Sequence, residues 1–245
     1  MCSLDKLLAD LDNEDTSVAL DAQISLEDRG EEAIKPILSL LPSLDFYGQS
    51  CALDLLSSWS ISLLEAQHNP SVSEVLIPLI RSQSSYVRQW STYVLGSLGT
   101  KEAIPEIEQA LKKVKAEGIP LDYTEPVAYR RTLTQLGART EIVPDRMVLQ
   151  QQHFKNCGFC WPATLLIECI ESLSSQSQVL LYYQAWQKRG NSYYWQETPQ
   201  YEIDLTGSWN DTVIRSAACA IDTVSKWVPP KNAVVTLEWI GEKDL

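Results

Sequence analysis

Tyr86-Val87-Arg88-Gln89-Trp90-Ser91-Thr92-Tyr93-Val94-Leu95-Gly96-Ser97-Leu98-Gly99, followed by Glu102-Ala103-Ile104-Pro105, decides the fold. The stretch reads as a helix with apolar and small residues facing inward, closed by Leu98-Gly99. Pro105 then sits in the first turn of a second apolar helix, where its missing N–H is not needed. The pattern recurs along the chain. Glu32-Ala33-Ile34-Lys35-Pro36-Ile37 and Glu74-Val75-Leu76-Ile77-Pro78-Leu79 place an acid and a proline around the start of an apolar helix in the same way. The segments before them, Val18 to Gly30 and Gly48 to Trp59, correspond to Val87 to Gly99, and a fainter copy runs from Val127 to Gly137. Prolines spaced by 42 and 27 residues give an irregular period within the range of stacked helical repeats.

Working outward, the chain up to Pro144 reads as helix after helix. Leu4, Leu7, Leu8 and Leu11 share one helical face, and Ile34, Ile37, Leu38 and Leu41 another. Leu53, Leu56, Leu63 and Leu64 follow, then Val75, Leu76, Leu79 and Ile80. Short polar breaks between them favour antiparallel neighbours.

Residues 86–111 resemble a HEAT-like repeat, and more closely the short variety found in phycobilisome-lyase-type proteins. There a Val-Arg pair opens the inner helix, Leu-Gly-x-Leu-Gly closes it, and Ala-Ile-Pro starts the next outer helix. The resemblance extends across residues 1–140, although Thr16-Ser17-Val18-Ala19 and Gly48-Gln49-Ser50-Cys51 lack the arginine. It implies a mainly α fold, a HEAT-like α-solenoid, in which Arg88 braces neighbouring inner helices through carboxylates. It also implies, as an alternative function, handling of a bilin chromophore or its attachment to a carrier protein. Stacked pairs share a core and leave one curved row of inner helices exposed, a surface assembled before any partner arrives.

After Pro144 the pattern changes. Pro162 is expected to begin a helix carrying Leu165, Leu166, Cys169, Ile170 and Leu173. Gln178 to Trp186 reads as a strand, Gly190-Asn191-Ser192 as a turn into Tyr193 to Glu197, and Tyr201 to Leu205 as a resumed strand past Pro199. An amphipathic helix carries Val213, Ile214, Ala217, Ile221, Val224 and Trp227, ends at Pro229-Pro230, and precedes a last strand, Val234 to Ile240. The expected organisation is a helical repeat domain over 1–144 and a small α+β module over 145–245, with two helices and about three antiparallel strands.

Charge narrows the function. The chain carries 32 acidic and 20 basic residues among 245, a net charge of −12. Residues 1–145 hold 22 acids and 12 bases, and residues 1–32 alone hold ten acids beside Lys6 and Arg29. A phosphate-tracking protein needs a basic face, so nucleic acid is excluded as partner, a HEAT-like DNA glycosylase with it. The same sign opposes docking on anionic membranes. No signal peptide and no run of about 20 apolar residues is visible, so a cytoplasmic protein is expected.

Asp10, Asp12, Glu14 and Asp15 read either as a patch that attracts a basic partner or as solvated acids near helix starts. Tyr193-Tyr194-Trp195 cannot all face one side of a strand, so at least one is expected to be exposed as a contact residue. Trp90 and Tyr93 read as core or groove wall. His153, Cys157, Cys160 and Cys169 offer a Cys₃His zinc set, against which stands the reading of structural cysteines; otherwise no cofactor is indicated. Cys157-x-x-Cys160 before a helix start would also suit a redox pair, but Trp161-Pro162 follow it rather than precede and divide it. His68 lies in a polar loop, and no phosphate loop, Gly-x-Ser-x-Gly or His-Glu-x-x-His occurs. The expected function is therefore a non-enzymatic protein-binding module, an acidic scaffold engaging a basic protein as an immunity protein, inhibitor or assembly adaptor does. A small-molecule ligand stays open beside it.

Overall fold

Apolar stripes that single helices cannot bury dictate the arrangement of the first half of the chain. The computed structural model describes residues 3–59, 71–121, 123–139, 152–154, 158–189 and 192–245. Contacts divide the chain into two compact units, Met1–Arg139 and Thr140–Leu245. The first contains α1 (Leu4–Asp10), α2 (Thr16–Arg29), α3 (Ile34–Leu40), α4 (Phe46–Ser58), α5 (Val72–Leu76), α6 (Ser85–Ser97), α7 (Ile104–Ala116) and α8 (Thr124–Gln135). Alternate helices are neighbours: α2 packs on α4, α4 on α6, and α6 on α8. Leu26, Ile34, Ile37, Leu53, Leu56, Leu76, Val87, Val94, Leu95 and Ile107 are buried in one continuous core. Each such side chain withdrawn from water stabilises the unit by about 1.5–3 kcal/mol.

The helix ends explain the repeating sequence signals. Asp15, Asp45 and Ser84 cap α2, α4 and α6, each side chain accepting from a backbone N–H of the first turn. Ser71 and Glu74 form a reciprocal capping box on α5. Leu98-Gly99 and Leu136-Gly137 close α6 and α8 identically. Gly99 and Gly137 take φ of 68° and 76°, which lets Thr100 N–H donate to the Leu95 carbonyl (3.1 Å) and Ala138 N–H to that of Leu133 (2.9 Å). Pro105 lies in the first turn of α7 as expected. Pro78 differs: α5 ends before it, and Ile77–Arg81 tightens into a 3₁₀ helix.

In the second unit five strands form one antiparallel sheet, in the order β1-β2-β5-β3-β4. They are β1 (Gln152–Phe154), β2 (Gly158–Pro162), β3 (Gln178–Arg189), β4 (Ser192–Gln196) and β5 (Ala233–Gly241). Helices α9 (Leu166–Ser175) and α10 (Trp209–Ser225) pack on β3 and on each other. Trp161, Leu166, Leu173, Leu180, Tyr183, Ala185, Val235 and Trp239 fill the layer between. A bulge at Leu181, where the register steps from Leu180↔Trp239 to Tyr182↔Glu238, shifts the alternation so that Leu180, Tyr183 and Ala185 all face the helices. Every residue of β5 is buried.

Three expectations are refined or corrected. Pro162 closes a strand, Trp161 and Pro162 pairing with Val235 and Val234, and the helical segment that follows it opens as a 3₁₀ turn over Ala163–Leu165 before α9 begins at Leu166. Tyr201 to Leu205 forms no strand. Pro199 interrupts the ladder, and Tyr201 instead donates its hydroxyl to the Leu180 carbonyl (2.9 Å). Among the described residues the sheet has five strands rather than about three. The protein is mainly helical with one antiparallel sheet, and among the described residues no helix is long and apolar enough to cross a membrane.

Because no atom crowds Gly99, Gly99→Ala isolates the left-handed backbone. It should cost about 1–2 kcal/mol in urea unfolding, and Gly99→Asn should recover part of that loss.

Candidate functional site

Residues spaced i, i+4, i+7 share one helix face, and two such stripes lie on α4 and α6, which pack together. Tyr47, Cys51 and Asp54 lie on α4; Tyr86, Trp90 and Tyr93 lie at the corresponding positions of α6. The Tyr86 and Trp90 ring centroids are 5.9 Å apart with planes at 47°. Trp90 and Tyr93 meet edge to face at 6.0 Å and 78°. Asp54 accepts a hydrogen bond from Gln23 Nε2 on α2 (2.7 Å), which ties α2 to the pair. Among the described residues Asp54 has no basic partner. Its charge is felt nearby. Burial, then Asp54 and Asp45, pushes the Cys51 thiol up against the opposing hydrogen bond from Tyr47. Burial, then Asp54 and Cys51, raises the Tyr86 phenol. Tyr86 is 49% exposed.

At the start of α6, Arg88 performs the bracing that the repeat resemblance implies. Its Nε and one terminal nitrogen donate to the two oxygens of Glu125 on α8, at 2.5 and 2.9 Å. Its other nitrogen donates to the carbonyls of Ser82 and Gln83. The Glu125 side chain is only 4% exposed and also accepts from the Tyr129 hydroxyl (2.6 Å). Burial first, and this hydrogen bond second, push the Tyr129 phenol far up. Beside the brace, Arg81 makes a two-point pair with Glu106 at 2.5 and 2.6 Å. Both pairs line a cleft of about 360 Å³ that Lys113 and Glu117 also border. Its charges are matched within the protein, so the cleft reads as the seam of a braced helix pair.

The N-terminal acids are occupied locally. Asp10 pairs with Lys6 one turn back (3.1 Å). Asp12 accepts from the Asp45 N–H at the start of α4 (2.8 Å), and Asp15 is the cap of α2. Glu14 is exposed. Burial, and then the neighbouring Asp45 side chain, raise Asp12 despite the hydrogen bond. Ser17 holds Asp15 low.

In the second unit the aromatic trio divides across β4. Tyr194 and Trp195 are 50% and 59% exposed, on opposite faces of the strand. Tyr193 is half-buried and packs with Trp186 against Cys160 and Val234. The Arg189 guanidinium lies 5.3 Å from the Tyr194 ring centre.

The zinc expectation is corrected in one respect. Cys160 lies on the sheet face that carries Val234, whereas Cys169 lies on α9, packed against the opposite face with Trp161 and Val235. Both thiolates of one zinc site lie within about 2.3 Å of the ion, so the intervening sheet keeps this pair from sharing it. Burial pushes the Cys169 thiol to about 12. Cys157 and His68 lie outside the described residues, and His153 is described only as backbone in β1. Among the described residues no three His, Cys, Asp or Glu side chains gather to hold a metal.

Sequence reasoning missed Tyr47, Asp54 and Gln23. The signal was present in the repeat itself, since aligning Gly48 with Val87 superposes Tyr47 on Tyr86 and Asp54 on Tyr93. No protein-family model matches the chain, and no curated protein matches it significantly.

Two outcomes follow from this geometry. Arg88→Met leaves a buried carboxylate without its counter-charge and should cost about 3 kcal/mol in urea unfolding. Adding Glu125→Gln to that variant should return part of the loss. Asp12 favours its proton more in the folded than in the unfolded chain, so its contribution to stability falls as pH rises through the carboxylate range. Asp12→Asn keeps the acceptor, and should raise the Tm slightly at neutral pH but leave it unchanged in acid, where the native carboxyl is already protonated.

Proposed function

We propose that the first unit is a short HEAT-like solenoid and that the protein acts without catalysis, binding a basic protein partner on the open side of the inner helices. The observation that carries this reading is the set of apolar side chains left in water on an acidic unit. Leu20 and Ile24 on α2, Phe46 on α4 and Tyr86 on α6 are all exposed, in a segment whose residues 1–139 contain 20 acids and 12 bases. Protein interfaces combine buried aromatic and aliphatic anchors with a polar, charged rim, and opposite net charge speeds encounter and suppresses wrong partners. The row α2, α4, α6 is rigid before binding, which lowers the ordering cost of association. Exposed Tyr194 and Trp195 on β4 supply a second contact of the same kind. The reading fits an inhibitor or immunity-type protein that neutralises a basic target in the cytoplasm, or an assembly adaptor.

Affinity capture with the tagged full chain, at about 50 and 300 mM salt with mass spectrometry of what elutes, tests it. The expected result is a basic protein retained at low salt and lost at high salt. Recovery of salt-independent partners alone overturns the reading.

A further inference from the structure

We infer that the outward face of α10 docks against a second copy of this chain, the two helices lying antiparallel across a twofold axis that passes between Ala218 and Cys219. The inference concerns the second unit alone and stands apart from the basic-partner reading of the first.

One side of α10 faces the core with Thr212, Val213, Ser216, Ala220 and Val224. On the other side Ile214 is 58% exposed, Ala218 and Ser225 are exposed, and Ile221 is half-buried. Positions 214, 218, 221 and 225 are separated by four, three and four residues, the spacing of a seam between two paired helices. Spacing alone leaves the occupant open, and the charges beside the seam supply it. Asp211, Arg215, Asp222 and Lys226 fall within about 60° of one another round the helix, in a stripe along one flank of the seam. Their order is minus, plus, minus, plus. Asp211 and Lys226 are equidistant from the point between Ala218 and Cys219, and so are Arg215 and Asp222.

That coincidence makes the stripe complementary to itself when reversed. In an antiparallel pair each flank meets its own counterpart, so Asp211 faces Lys226 of the second copy and Arg215 faces its Asp222. A parallel pair would set the stripe against the flank of Ala217 and Val224, which carries no charge. The antiparallel register also seats Ile214 of each copy between Ile221 and Ser225 of the other. Ala218 lies at the axis, where a small side chain lets the helices approach closely.

Within one copy these charges hold only loose partners. Lys226 reaches Asp222 one turn back (2.6 Å), and Arg215 reaches Asp204 (3.4 Å), both pairs largely exposed. Exposed pairs of this kind contribute little to stability. Arg215 uses Nη2 for Asp204 and for the Thr206 carbonyl (2.5 Å), and among the described residues its Nε and Nη1 have no partner. A single helix pair is at the small end of protein interfaces, so the dimer is weak and concentration-dependent.

Sedimentation equilibrium of the full chain, from about 5 to 500 µM at about 150 mM salt, tests the inference; that salt screens the net repulsion between two acidic chains more than it screens close pairs. A reversible monomer–dimer equilibrium should appear in that range. Ile214→Glu should leave the chain monomeric. Arg215→Glu or Asp222→Lys alone sets like charges together twice per dimer and should weaken it roughly tenfold or more. Mixed in equal amounts, the two single variants should recover the parent affinity, because a heterodimer restores opposite charges at both contacts. Asp28→Lys makes the same charge change on α2 and should alter the dimer less than twofold. Thermal melts matching the parent chain confirm that the variants are folded. A chain that stays monomeric throughout overturns the inference, as does a dimer that survives Ile214→Glu. A mixture no stronger than its two components overturns it as well. None of these outcomes bears on salt-sensitive capture of a basic partner by the first unit.

Discussion

The helical unit depends on the seam between α6 and α8, where an apolar contact and a buried ion pair act together. Gly96 brings the α6 backbone close to α8, so that a Cβ there would stand 3.0 Å from Thr132. Close approach gives dense packing, but it also takes the Glu125 carboxylate out of water. An isolated buried carboxylate costs several kcal/mol, and Arg88 and Tyr129 offset this with three hydrogen bonds. Arg88 in turn is held by the carbonyls of Ser82 and Gln83 ahead of α6. One side chain therefore fixes the entry into α6 and its spacing from α8.

That brace also bears on the neighbouring helix α4. With α6 fixed against α8, its opposite flank meets α4, and the stripes of Tyr47-Cys51-Asp54 and Tyr86-Trp90-Tyr93 are brought together. Charges in the brace and in the Arg81–Glu106 pair are matched internally. Among the described residues Asp54 on α4 has no basic partner of this kind. Here Arg81 and Arg88 join neighbouring helices, and neither is spent on α4.

The acidic N-terminus shows that a compositional signal can also report local structural tasks. Ten acids in 32 residues suggest a patch, yet Asp10, Asp12 and Asp15 each have a local task in holding α1, α2 and the start of α4. Acids near helix N-termini satisfy unpaired N–H groups and the helix dipole, so their density partly reports how many short helices begin there. Asp54 contributes only one charge, lies on a helix face, and stood out in no local count.

Local sequence determined the helices, their caps and their order. Apolar period, a Ser or Asp cap at the start of α2, α4, α5 and α6, Pro105 in the first turn of α7, and Leu-Gly at the ends of α6 and α8 are all local signals, and helices form where such signals agree. The strands Gln178 to Trp186 and Val234 to Ile240 were legible for the same reason. Tertiary structure decided what depends on partners distant in the chain. Gly158–Pro162 is a strand because β1 and β5 flank it with ladder partners, and Tyr201 stays outside the sheet with its hydroxyl donating to the Leu180 carbonyl. The sheet also separated Cys160 from Cys169, which spacing alone allowed to meet. Asp54 met Gln23, and came to act on Tyr86, only after three helices stood side by side, because side chains that lie 31 and 32 residues away in the chain are brought near by packing and not by any local rule.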